Sequence, residues 1–155
     1  MASPTLFAIY VPIKVTRNVR FVPYGDAMAR TIDKANQFFE RYSAALLARD
    51  ETAMAEMYAI PSLILFPGSS IPVSDTSQTE EFFASSWEQY EGVDTVDSQI
   101  TVMAEAPGSV WADVTWSFEG QPRERFCYQL IEGTDGYQIA VLTPMELDTA
   151  MTFER

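Results

Sequence analysis

At 155 residues and 47% apolar composition, the chain is long enough to bury a single core and too apolar for global disorder. Its net charge of −12, from 10 basic and 22 acidic residues, argues against nucleic acid and anionic membranes, whose phosphates need a lysine- and arginine-rich surface. It has no histidine and one cysteine, Cys127, which excludes serine–histidine and cysteine–histidine catalysis, histidine metal sites and any intrachain disulfide, and suits a reducing cytoplasm.

No stretch approaches the ~20 apolar residues of a membrane-spanning helix. Residues 5–13, TLFAIYVPI, are apolar but short, lack a basic region before them and contain Pro12, so they do not read as a signal peptide. Residues 6–22 alternate, with Phe7, Ile9, Val11, Ile13 and Val15 on one face. That pattern makes residues 1–25 an expected β extension, a strand or hairpin that pairs at a sheet edge or crosses onto a second subunit. From Asp26 to Ala48, Met28, Ile32, Ala35, Phe39, Tyr42 and Leu46 form one helical stripe, with Asp26 as its N-cap. Asp50 reads as a second N-cap, opening a short helix through ETAMAEMYA that turns Met54, Met57 and Tyr58 inward and stops at Pro61.

SLILF then reads as a strand, PGSS as a turn and IPVSD as a second short strand. Ser77 and Glu80 have capping-box spacing and open a helix over Gln78–Tyr90, on which Phe83, Trp87 and Tyr90 share a face. Four antiparallel strands follow, in TVDSQITVMAEA, VWADVTWSFEG, RERFCYQLIEG and YQIAVLTPMEL, joined by Gly/Pro turns. Residues 147–155 form a polar tail. Helices segregated from a curling antiparallel sheet predict an α+β cone, the sheet wrapped around the long first helix, over residues 26–146.

RYSAALLARDETAMAEMYA and VTWSFEGQPRERFCYQLIEGTDGYQIAVL, in this order of elements, resemble the NTF2-like (cystatin-like) superfamily. That group includes ketosteroid isomerase, scytalone dehydratase, limonene-epoxide hydrolase and SnoaL-like polyketide cyclases. The resemblance implies a pocket between sheet and helices, and a homodimer, here through the outer sheet face. It also aligns the isomerase's oxyanion-hole tyrosine with Tyr42 and its oxyanion-hole aspartic acid with Tyr128. The position of its general base falls on Phe66 in LFPG, so isomerase chemistry by that route is expected to be absent.

Strand parity supplies the candidate pocket. If Tyr128 faces in, so do Phe126 and Leu130, with Ala112, Val114 and Trp116 on one neighbouring strand and Ile139, Val141 and Thr143 on the other. The helices contribute Phe39, Tyr42, Tyr58, Phe83 and Trp87, and Phe66 completes the wall. This composition suits a small apolar ligand, and equally a filled core. Tyr42 and Tyr128 could together hold a carbonyl or enolate oxygen. Asp113 falls on the outer face unless the register slips by one, which would make it a candidate base. Asp75 reads as a cap, Arg123 and Arg125 as outer-face charges and Cys127 as an inert thiol.

No cofactor, metal or phosphate-loop pattern is present in the sequence. The expected function is binding of a small apolar ligand in the cone. One alternative is a cofactor-free isomerase, cyclase or dehydratase using tyrosine donors and an unidentified carboxylate. The other is an oligomerisation module whose cavity is filled.

Overall fold

The computed structural model describes residues 24–147, so the expected β extension and polar tail lie outside the described residues, except that Tyr24 and Gly25 belong to the first helix and Leu147 closes the described chain. Helix α1 spans Tyr24–Leu47, and Asp26 sits in its first turn rather than at its cap, where a carboxylate still favours the helix dipole. Ala35, Phe38, Phe39, Tyr42, Ala45 and Leu46 are its buried positions. Ile32, on the expected stripe, is 40% exposed. Near it α1 meets the sheet through a polar contact instead, Thr31 Oγ1 donating to Glu105 at 2.6 Å.

Asp50 caps helix α2 (Glu51–Glu56) by accepting from the Ala53 N–H at 2.9 Å. The helix ends earlier than expected, and strand β1 (Tyr58–Phe66) begins before Pro61. Pro61 is tolerated inside β1 because the pairing skips between Tyr58 and Leu63 on one side and starts at Ser62 on the other, so no ladder bond needs its missing N–H. Strand β2 (Ser69–Val73) returns antiparallel. Helix α3 (Thr76–Ser86) is capped by Asp75, which accepts from the Ser77 N–H at 2.7 Å while Gln78 Oε1 accepts from the Asp75 N–H at 3.0 Å. The capping box is thus Asp75 and Gln78, not Ser77 and Glu80. A 3-10 turn, Trp87–Tyr90, completes the segment expected to be one helix.

Strands β3 (Val96–Ala106), β4 (Ser109–Phe118), β5 (Gln121–Gly133) and β6 (Gly136–Pro144) form the meander. The six strands are ordered β2-β1-β6-β5-β4-β3, antiparallel throughout except for the parallel β1–β6 pair, in a curved and unclosed sheet. The α+β cone expected from the sequence is the observed fold. Glu119 and Gly120, both at positive φ, make the β4–β5 turn, whose handedness suits the strand twist. The Glu119 carboxylate accepts from the N–H groups of Asp94 and Thr95 at 2.6 and 2.9 Å, tying the approach to β3 to that turn and holding its carboxyl below the usual range.

Two bulges set which side chains face α1. On β5, Glu124 pairs with Trp116 and Pro122 with Ser117, leaving Arg123 extra. On β6, Ile139 pairs with Leu130 and Val141 with Gln129, leaving Ala140 extra. Strict alternation expects Ile139, Val141 and Thr143 inward. The bulge reverses the phase after Ile139, so Leu142 is buried, and Val141 and Thr143 lie on the opposite face. Among the described residues, no helix is long and apolar enough to cross a membrane.

Candidate functional site

The inner face of the sheet changes character along the strands. Toward one end, Val110, Ala112 and Val114 of β4, Leu130 of β5 and Ile139 of β6 are essentially fully buried and close against Phe38 and Phe39. Toward the other end, Trp116 and Phe118, then Glu124, Phe126 and Tyr128, then Leu142 face a cavity of about 250 Å³. From α1 come Tyr42 and Leu46, and from β1 Tyr58, Ile64 and Phe66. Phe82, Phe83, Ser86, Gln89 and Tyr90 close the remaining side. The volume is slightly below the ~300–1,000 Å³ usual for ligand sites, which suits a small occupant. Grooves of about 610 and 630 Å³ lie outside, along the edge where α1 meets the β5–β6 turn. Exposed groups such as Arg41 and Asp135 line both, so their larger volume is open solvent rather than a shaped pocket.

An aromatic ribbon builds the wall. Phe83 stacks on Trp87 at 5.8 Å, Trp87 meets Tyr90 edge-on at 6.1 Å, and Tyr90 meets Phe118 at 5.6 Å. Across from it, Tyr42 lies 5.3 Å from Trp116 and 6.4 Å from Tyr128 between ring centroids. The hydroxyls find partners within the protein. Tyr42 Oη bonds Tyr58 Oη at 3.2 Å, and Tyr128 Oη accepts from Trp116 Nε1 at 2.9 Å. Tyr42 and Tyr128 therefore do not share a partner, and the O–H of Tyr128 bonds no described acceptor. Burial raises all these phenols: Tyr58 to about 12, and Tyr42, Tyr90 and Tyr128 well above their ordinary value. They are neutral hydrogen-bond donors throughout the physiological range.

Among the described residues, the one charged side chain in the lining is Glu124, half-buried on β5. Desolvation pushes its carboxyl above the usual range. Its charge in turn raises Tyr90 and Tyr128, which places all three around the same space. Arg49, whose charge is felt at Tyr90, is occupied elsewhere: it donates to the carbonyls of Leu46, Leu47, Tyr90 and Val93. Among the described residues, no hydrogen bond or ion pair holds the Glu124 carboxylate.

The sequence-derived pocket divides accordingly. Tyr42, Tyr58, Phe66, Phe83, Trp116 and Tyr128 line the cavity. Phe39, Val114 and Leu130 are core beneath it. Trp87 backs Phe83 from outside and donates its indole N–H to Glu51 at 3.3 Å. Val141 faces away, for the reason given by the bulge at Ala140. Asp113 is also outside: Arg125 grips it with two bonds, at 2.9 and 2.5 Å, and donates a third to the Glu146 carbonyl at 3.0 Å. That fork removes Asp113 as a candidate base. Burial pushes the Cys127 thiol up on the same outer face, against thiolate reactivity. Glu124 was missed by sequence reasoning although the signal was present. It is two residues before Phe126, so the same parity turns it inward, but its place between Arg123 and Arg125 reads as solvated charge.

No family model matches the sequence, and no curated protein matches it. Solved structures resemble it in fold. An NTF-2-like protein of unknown function from Shewanella oneidensis MR-1 superposes with a TM-score of 0.61 at 11% identity, covering 75% of this chain and 99% of that one. A second NTF2-like protein of unknown function, from Shewanella baltica OS155, gives 0.57 at 8% identity, over 76% and 94%. A domain of unknown function with a cystatin-like fold, from Nostoc punctiforme PCC 73102, gives 0.55 at 12% identity, over 81% and 82%. At these identities the likeness establishes the fold and carries no activity with it: the chain folds as an NTF2-like α+β cone.

Proposed function

We propose that the protein binds a small, largely apolar molecule in the cone cavity. The observation that carries this reading is the cavity itself: about 250 Å³ of space walled by aromatic rings, with Tyr42, Tyr58 and Tyr128 among its lining residues. A packed core of this composition would close that space, because interiors tolerate few voids larger than a water molecule. The free O–H of Tyr128 supplies one donor to orient a carbonyl or hydroxyl oxygen. Phe66 at the wall, where the isomerase resemblance expects a base, argues against that borrowed chemistry.

The test is calorimetric and native-mass-spectrometric binding of a panel of neutral bicyclic aromatics, terpenes, polyketide fragments and steroids. At least one class should bind with a stoichiometry of one per chain. Leu142→Trp, which fills the cavity from β6, should abolish that binding while the protein stays folded. A panel in which nothing binds, or binding untouched by Leu142→Trp, would sink the reading.

A second reading has one specific support, the desolvated Glu124 carboxylate lining the same cavity as Tyr128. In it a cofactor-free isomerase or dehydratase step moves a proton from the carbon next to a carbonyl to Glu124, with Tyr128 donating to the enolate oxygen. Deuterium incorporation into a bound bicyclic ketone, followed by NMR and lost in Glu124→Gln, would support it; the uncatalysed rate in the wild-type protein would remove it. Homodimerisation through the outer sheet face, where Trp111, Ile131 and Val141 are half-buried, is part of the same proposal and is read by light scattering.

A further inference from the structure

We infer that the occupant of the cavity carries a basic nitrogen: the site is shaped for a small aromatic or aliphatic amine whose ammonium group rests on Glu124. This inference deepens the small-molecule reading and depends on it. Among the described side chains lining the cavity, Glu124 is the sole charged one, and no lysine or arginine is among them. The chain contains no histidine at all. A half-buried carboxylate with no cation beside it is a standing cost that a bound cation removes, and a neutral or anionic ligand does not.

The rest of the lining reinforces the sign. Phe118 and Phe126 lie on the strands that carry Glu124 and its cross-strand neighbour Trp116, and Tyr90 packs on Phe118. Aromatic faces attract an organic cation through the negative face of the ring, which makes rings around a single carboxylate a receptor for ammonium rather than for a carboxylic acid. The apolar depth of the cavity, toward Tyr42, Ile64 and Leu142, would take the ligand's body. The overall charge of −12 adds long-range attraction for cations and repulsion for anions.

The experiment compares tryptamine, its neutral analogue tryptophol and the anion indole-3-acetate by calorimetry at pH 7.5 and low salt, on wild-type protein and Glu124→Gln. Tryptamine should bind the wild type at least tenfold tighter than tryptophol, with indole-3-acetate weakest. In Glu124→Gln that preference should collapse toward unity while tryptophol affinity is retained. The wild type gives an independent readout: tryptamine affinity should fall as pH is lowered and Glu124 takes up a proton. Of the titratable groups that share the cavity lining with it, the phenols of Tyr42, Tyr58, Tyr90 and Tyr128 stay neutral through that window, and Arg49, which donates to the Tyr90 carbonyl, is engaged on the backbone. Equal affinity for tryptamine and tryptophol, or a preference unchanged by Glu124→Gln, overturns the amine inference and leaves the cavity reading standing. If none of the three ligands binds, the inference fails; if the neutral panel also fails, the cavity reading goes with it.

Discussion

Replacing Tyr128 with Phe isolates one buried hydrogen bond with little change of volume. Tyr128 is 1% exposed and Trp116 2%, and the phenol oxygen accepts the indole N–H at 2.9 Å. The variant keeps the ring against Phe39, 5.0 Å away, and against Phe126, 5.9 Å away, but strands the Trp116 donor. An orphaned buried donor costs about 1–3 kcal/mol, partly offset because the phenyl ring no longer buries a hydroxyl. The expected loss is therefore about 1–2 kcal/mol, or roughly 2–8 °C in Tm for a chain of this size. Urea unfolding followed by circular dichroism should show a lower midpoint with an unchanged slope. Trp116→Phe and the double variant complete a cycle: once Trp116 is Phe, the Tyr128 change should cost about 1 kcal/mol less. A Tyr128→Phe variant as stable as wild type, or strict additivity in the cycle, would refute the argument that this bond is both formed and buried.

Glu124→Gln should alter the pH profile of stability. The Glu124 carboxyl titrates higher folded than unfolded, so the folded state holds the extra proton between the two values and its stability falls as pH rises through that window. The variant should match wild type in acid below the unfolded value and exceed it at pH 7; a variant less stable at neutral pH contradicts the assignment. Phe83→Ala removes a side chain 5% exposed that packs on Tyr58, Phe82 and Trp87, and should cost about 3–5 kcal/mol in denaturant melts while weakening any cavity ligand. Asp113→Ala breaks a two-bond pair whose side chains are each 20% exposed, and should cost about 1 kcal/mol or less with cavity binding unchanged by calorimetry; altered binding would mean that the outer face communicates with the cone.

The fold was legible because its signals are local and repeated. The stripe from Ala35 to Leu46 fixes the helix, and the alternation Ala112, Val114, Trp116 against Phe126, Tyr128, Leu130 fixes two central strands. What escaped involved a single extra residue or a partner remote in sequence. Nothing local marks Ala140 as a bulge, and that one residue exchanges Val141 for Leu142 at the cavity. Pro61 reads as a stop until the gap in β1 pairing shows that its N–H is not needed. The tyrosines were correctly turned inward, but which hydroxyl meets which depends on side-chain reach between elements, 16 positions apart for Tyr42 and Tyr58. Glu124 was hidden by its neighbours' charge, although its parity was available.

The bulge at Ala140 also divides the protein's mutational landscape. It falls where the inner face passes from the packed layer of Leu130 and Ile139 to the cavity layer of Tyr128 and Leu142. Substitutions on the packed side are read first by the folding equilibrium, because every neighbour there is already filled. Substitutions on the cavity side border empty space, so they can reshape what the cone accepts at smaller cost to the fold. A lineage exploring new ligands on this scaffold could vary one half of each strand while holding the other nearly constant, and a directed-evolution library confined to Ile64, Phe66, Phe118, Phe126 and Leu142 would follow the same division.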